Sequence, residues 1–166
     1  RLPTMDVLAV VIPAYKPDFF RAALESVVAQ TDKRFRVYVG DDGGPPEIAG
    51  ICASLSSSGI DIVYRRFDEN LGRRSLTPHW NRCVALSKEP WVWLFSDDDE
   101  MAPDCVASIH AELSRGRNGD VLRFNTDVID AKGRTLAVNA PHPEVETGVD
   151  FLFARLRGER NSYVVE

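Results

Sequence analysis

Apolar residues recur along this chain in two alternating rhythms, short continuous runs and stretches spaced three and four apart. Val7 to Ile12 is an unbroken apolar run rich in β-branched residues and closed by Pro13, the pattern of a parallel strand buried on both faces. Phe20, Leu24, Val27 and Val28 then share one face of a helix expected from Phe19 to about Gln30, with Asp18 as its cap. Arg34 to Gly40 alternates, with Phe35, Val37 and Val39 on one side, and ends in Asp41-Asp42-Gly43-Gly44-Pro45-Pro46. Glu47 to Leu55 puts Ile48, Ile51, Cys52 and Leu55 on one helical face, and Ile60 to Tyr64 forms a third strand. After the loop Asn70-Leu71-Gly72-Arg73-Arg74, Thr77 as cap and Pro78 as first helical residue predict a helix to about Ser87. Trp80, Val84 and Cys83 turn inward from it. Trp91 to Phe95 is the fourth strand, expected to be buried, and a helix opened by Pro103 carries Val106, Ile109 and Leu113.

This alternation of strand and helix favours a parallel sheet with helices on both faces. Beyond Gly119 the rhythm changes. Val121 to Ile129 and Arg134 to Val138 read as a hairpin joined by Asp130-Ala131-Lys132-Gly133, and Thr147 caps a last helix holding Phe151, Leu152 and Leu156. With no repeat and no low-complexity linker, the expected organisation is a single domain over residues 1–166.

Composition narrows the classes. At 166 residues and 44% hydrophobic content the chain can build a real core. A net charge of -5 argues against polynucleotide binding. No run approaches the roughly 18 apolar residues of a membrane span, and the start lacks the layout of a signal peptide. The expected location is cytoplasmic, at most peripheral to a membrane. Cys52, Cys83 and Cys105 form no CxxC pair and each falls in a helix, so reduced core thiols are expected. The chain begins at Arg1 and ends just after a charged segment, which reads as a portion of something longer.

Chemistry concentrates after the strands. Trp91 to Phe95 leads straight into Ser96-Asp97-Asp98-Asp99-Glu100, and carboxylates so crowded repel unless a cation, a donor group or water offsets them. Hard divalent ions such as Mg²⁺ or Mn²⁺ use one or two carboxylates plus substrate phosphates, which points to a nucleotide diphosphate as companion ligand. Pro13-Ala14-Tyr15, Asp41-Asp42, Asn70 to Arg74 and Asp97 to Asp99 each follow a strand, where parallel sheets bind ligands. Taken singly these are ordinary features: a turn, a solvated arginine pair, an acidic loop. His79, in a first helical turn, reads as surface or cap, and Trp91 and Trp93 as packing residues.

The ordered set Val10-Val11-Ile12-Pro13-Ala14-Tyr15, Ala23 to Thr31, Val39-Gly40-Asp41-Asp42-Gly43-Gly44, Asn70-Leu71-Gly72 and Trp93 to Asp99 resembles the family 2 glycosyltransferases of GT-A fold. The resemblance implies an α/β, Rossmann-like, mostly parallel sheet flanked by helices, here with a C-terminal β-hairpin. It implies that Pro13, Ala14, Tyr15 and Asp42, or else Asp41, hold the base of a nucleotide sugar, with uracil the common choice. Asn70, Gly72 and Arg73 approach the nucleotide. The acids match a DxD motif for Mn²⁺ or Mg²⁺. Aligned on Pro103, Ser96 replaces the usual first acid, which makes Asp98 the first choice of metal ligand. Asp97 either touches ribose or pairs with Asp99 in a shifted motif. The implied reaction is inverting transfer of a sugar to a glycan or other hydroxyl acceptor. The family's catalytic base lies in an acceptor half, and none of Asp127, Asp130, Glu144, Glu146 and Asp150 sits in a recognisable base motif. No base is therefore named, and the chain reads as the donor-binding portion. Two readings compete: a noncatalytic GT-A-like binding module, and a metal-dependent phosphoryl or nucleotidyl transferase, which lacks any P-loop signature here.

Overall fold

The computed structural model describes residues 7–116 and 119–158, and its contacts divide into two compact units, residues 1–117 and residues 118–166. The first unit is a four-stranded parallel sheet with four helices. In chain order these are β1 (Leu8–Ala14), α1 (Phe20–Val28), β2 (Phe35–Asp41), α2 (Glu47–Ser54), β3 (Asp61–Arg66), α3 (Leu76–Val84), β4 (Trp91–Leu94) and α4 (Cys105–Ser114). The strand order is β3-β2-β1-β4, with every pair parallel.

The sequence pattern located every element, and the structure moves several of their ends. β1 runs through Pro13 to Ala14, because β2 continues beside it with Pro13 opposite Gly40 and Ala14 opposite Asp41. The proline is tolerated because β4 pairs only with Leu8 to Val11. The main-chain groups of Val7 and Val11 face β4, accepting from Trp91 and Phe95, so by alternation Pro13 faces the same side beyond the end of that strand. Asp18 does not cap α1. Phe19 holds the cap position without a side-chain hydrogen bond. α3 begins two residues earlier than expected, with Ser75 rather than Thr77 at its cap and Pro78 in the first turn, where a missing N–H leaves no helical bond unmade. In α4 the cap is Asp104, one residue past Pro103. β4 is an edge strand, so Trp91 and Trp93 are only half-buried and Val92 is exposed, whereas burial on both faces had been expected.

The core fills both faces of β1 and β2. Ala9, Val10, Val11, Ile12, Val37 and Val39 are fully enclosed. Ala9, Val11, Tyr38 and Cys83 form a buried cluster against which Val63, Phe67, Val84, Leu86 and Leu94 pack, so α3 covers one face of the sheet. Gly40 makes this approach possible: a Cβ there would lie 2.2 Å from the Cys83 sulfur. The three cysteines are unpaired, with Cys52 and Cys83 buried and Cys105 half-buried. Burial pushes the thiols of Cys52 and Cys83 up to about 12, so neither is a nucleophile in the folded protein.

The second unit holds the antiparallel hairpin of β5 (Asp127–Ile129) and β6 (Thr135–Val138), followed by α5 (Gly148–Leu156). Only the last three residues of the strand expected from Val121 to Ile129 pair as a strand. Asp130 turns the hairpin by accepting from the amides of Lys132 and Arg134, and Gly133 supplies the positive φ of 72°. Thr147 caps α5 as expected, accepting from the Asp150 amide at 3.1 Å. Among the described residues no helix is long and apolar enough to cross a membrane.

Candidate functional site

The chain runs outward from β1 through β2 to β3, then returns to the far side of β1 for β4, so the strand order reverses between β1 and β4. A crevice opens at the carboxyl ends of strands at such a point. Here the two strand ends are tied together: the Tyr15 amide donates to Asp97 Oδ2 at 3.0 Å. Burial pushes the Asp97 carboxyl above the ordinary aspartate range. The hydrogen bond from Tyr15 works against that rise, and the neighbouring Asp98 charge adds to it. Asp98 is exposed and accepts from the Ser96 hydroxyl at 2.5 Å, and Asp99 is exposed beside it. Lys16, Asp18, Phe19, Asp97 and Asp98 line a recess of about 250 Å³ at this rim.

The acidic loop is anchored from behind by a residue whose polarity is concealed in the core. Gln30, fully buried after the last turn of α1, donates to the Ala102 carbonyl at 2.7 Å and accepts from the Val106 amide at 3.0 Å. Ser26 accepts from the Met101 amide at 2.9 Å, and the Thr31 amide donates to the Pro103 carbonyl at 2.9 Å. α1 therefore fixes both the chain leaving the acids and the start of α4.

Asp41 and Asp42, at the end of β2, are 0% and 2% exposed, so in this conformation neither carboxylate reaches solvent. Asp41 accepts from the Gly44 amide at 2.6 Å, the Tyr64 hydroxyl at 2.5 Å and Arg66 Nη1 at 3.0 Å. It thereby holds its own turn, in which Gly44 must stay small because a Cβ would lie 2.5 Å from the Tyr15 carbonyl. Asp42 faces the opposite loop, accepting from the Leu71 amide on Oδ1 at 2.9 Å and the Gly72 amide on Oδ2 at 2.8 Å, while Arg82 Nη2 also donates to Oδ1. The Asp42 amide donates to the Ala14 carbonyl at 2.9 Å, joining this cluster to the end of β1. Gly72 cannot carry a side chain in this pose, since a Cβ would lie 2.7 Å from Asp42 Oδ2. Asn70 closes the loop by accepting from the Arg73 amide at 2.9 Å, and the Arg73 side chain is exposed.

The structure thus gathers the residues singled out in the sequence along one rim. Tyr15 meets Asp97, and Asp42 meets Leu71 and Gly72 in the loop that follows Asn70. Two partners were missed. His79, expected as a surface or cap residue, is 3% exposed with Nδ1 3.3 Å from Asp42 Oδ1, and Arg82, which no sequence motif singles out, donates to the same oxygen. The signal available was a histidine, an arginine and a cysteine at positions 79, 82 and 83, which share one helical face.

With this geometry in view, the chain can be set beside known proteins. It matches the glycosyl transferase family 2 over residues 9–151. The chain belongs to that family. Its fold is that of S. aureus TarS, residues 1–349, at a TM-score of 0.58 with 15% identity over 74% of this chain and 41% of that one. The complex of TarS 1–349 with UDP-GlcNAc gives 0.59, with 17% identity over 74% and 40%. The mannosyltransferase PcManGT from Pyrobaculum calidifontis, in complex with GDP-Man and Mn²⁺, gives 0.53 with 16% identity over 61% and 30%. This family 2 chain therefore spans about two-fifths of the length of the TarS chain it matches. No curated protein matches it by sequence.

Among the described residues no three histidine, cysteine or acidic side chains are grouped to hold a metal ion unaided. The donor set of this family 2 site nevertheless suits a hard divalent ion that keeps water and phosphate oxygens, because such an ion needs only one or two carboxylates. Asp98 stands exposed at the rim, beside an Asp97 that already feels its negative charge.

Proposed function

We propose that this chain binds a nucleotide diphosphate sugar across the ends of β1 and β4 and serves inverting transfer of the sugar to an acceptor hydroxyl, in glycan or polysaccharide synthesis. The observation that carries the reading is the Tyr15 to Asp97 hydrogen bond, which sets three aspartates at the crevice where the strand order reverses. Family membership and the nucleotide sugars bound by TarS and PcManGT support it.

In this reading the base lies against the exposed ring of Tyr15, with Pro13 and the buried Ala14 shaping the chain beneath it. The loop of Asn70, Gly72 and Arg73 forms the facing wall, with Arg73 directed to the diphosphate. Asp41 and Asp42 support this wall from beneath, through Gly44 and through Leu71 and Gly72, instead of touching the base as the resemblance implies. Asp98, with Asp99, would hold Mn²⁺ or Mg²⁺, and Asp97 would meet ribose or share the metal. When bound, the ion supplies charge neutralisation for the departing diphosphate without a protein proton donor. The acceptor hydroxyl must lose its proton to a general base, and that role is not assigned to any residue here.

The test is calorimetric titration of the chain with UDP and GDP, with and without Mn²⁺, beside Asp98→Ala. The expected result is metal-dependent binding of one nucleotide that weakens at least about tenfold in the variant, the effect of losing one charged ligand. Binding that ignores both metal and Asp98 would leave a nucleotide-binding module without the proposed metal chemistry. No binding of either nucleotide would overturn the donor-site reading.

A further inference from the structure

We propose that Arg82, steadied by His79 on the same face of α3, forms a partly buried latch that positions the donor-facing loop Glu69 to Gly72 by holding Asp42 against it. The proposal rests on the donor-site reading for its functional consequence, but not for its structural one.

The latch is built from groups that have little other purpose. Arg82 Nη2 donates both to Asp42 Oδ1 and to the Glu69 carbonyl, the latter at 2.8 Å, so one guanidinium spans the acid and the start of the loop. Its Nε donates to His79 Nδ1 at 3.1 Å. That bond uses the Nδ1 lone pair, so His79 steadies the guanidinium and acts on Asp42 through Arg82. The guanidinium also lies 3.9 Å above the Phe67 ring, and His79 meets the same ring edge-on at 6.0 Å between centroids. The charged head is therefore fixed by an aromatic face, a carboxylate, a carbonyl and an imidazole. Asp42 spends its remaining capacity on the amides of Leu71 and Gly72.

A buried carboxylate that accepts from two successive amides sets the path of the backbone it binds, and a fork-shaped cation holds it in place better than a point charge can. Loss of Arg82 leaves Asp42 enclosed, with its negative charge facing only backbone donors and a neutral imidazole. The loop is then expected to open so that water can solvate the acid. His79 and Arg82 are thus positioning residues, acting on the donor through Asp42 and the loop.

Two variants of the full chain, Arg82→Met and Arg82→Lys, test the latch beside a core control, Ile109→Val in α4. Amide hydrogen exchange at Leu71 and Gly72 is the primary readout, compared with Val10 and Val37 in the sheet. In Arg82→Met, exchange at the two loop amides should rise about tenfold or more beyond any change in the sheet, as expected for a lost charge-assisted hydrogen bond. Arg82→Lys restores charge without the fork, and should give a smaller rise in the same two amides. The UDP dissociation constant with Mn²⁺ should follow the loop exchange and not the melting temperature, so Ile109→Val should leave it unchanged. Loop exchange that rises only in step with the sheet, in both Arg82 variants, would overturn the latch. If Arg82→Met does not fold, Arg82→Lys alone decides by the same criterion. If the unaltered chain binds no nucleotide, the donor-site reading fails while the loop exchange still judges the latch.

Discussion

Single residues reveal their roles here through what satisfies them. Gln30 looks like the polar end of an amphipathic helix, yet it is fully buried and each end of its amide is paired with the backbone around α4. Nothing in the residue itself told that its partners would come from a segment 72 and 76 positions away. His79 was misjudged for a related reason: a first-turn histidine normally faces water, but α3 turns this one toward β2. Burial holds its imidazole below the ordinary value of 6.5, with the Asp42 charge opposing that shift and Arg82 adding to it. Cys83 and Phe67 complete its surroundings. The folded protein therefore takes up a proton on His79 less readily than the unfolded chain. The stability this group contributes is fully present above about pH 6.5 and is lost as pH falls below it. His79→Gln, which cannot titrate, should show a shallower decline in urea midpoint between about pH 7 and 5 than the unaltered protein. Parallel declines would mean that His79 is protonated in the folded state too.

Elements meet here through glycines as much as through apolar contacts. The hydrophobic rhythm predicted α3 and β2 separately, but their distance of approach depends on Gly40, where a Cβ would overlap the Cys83 sulfur at 2.2 Å. Gly40→Ala should destabilise the protein by about 2 kcal/mol, as overpacking a tight core site does. Adding Cys83→Ala should recover part of that loss, since only 3.2 Å contacts to the Cys83 Cβ and the Phe67 ring remain. Denaturant unfolding of both single variants and the double variant gives the coupling directly, and strictly additive losses would show that the two elements do not touch as described. Element ends were the least legible feature. Pro13 and Ala14 joined β1 because β2 continued beside them, and β4 became half-exposed because it lies at an edge. Both facts concern neighbours, which a local pattern does not contain.

At the scale of the molecule, the sheet and all the candidate donor residues fall in the first compact unit, and the hairpin with α5 in the second. A chain ending at Gly116 should therefore keep a cooperative unfolding transition and bind UDP within about threefold of the longer chain, well under one charged contact. Circular dichroism and calorimetry would check this. A shortened chain that folds but does not bind would show that the second unit contributes to the donor site. The sequence by itself determined the alternation of strands and helices, the parallel sheet, the hairpin and the placing of acids after strands, because periodicity and turn chemistry are local properties. It also determined family membership, since the motifs occur in order along the chain. Only the tertiary structure decided that Asp41 and Asp42 face inward, that Asp97 closes onto Tyr15, that Arg82 reaches Asp42 beside His79, and that Gln30 anchors the chain leaving the acids. Those outcomes depend on which distant donors reach a buried acceptor, and satisfying such groups is a condition on the whole packed unit.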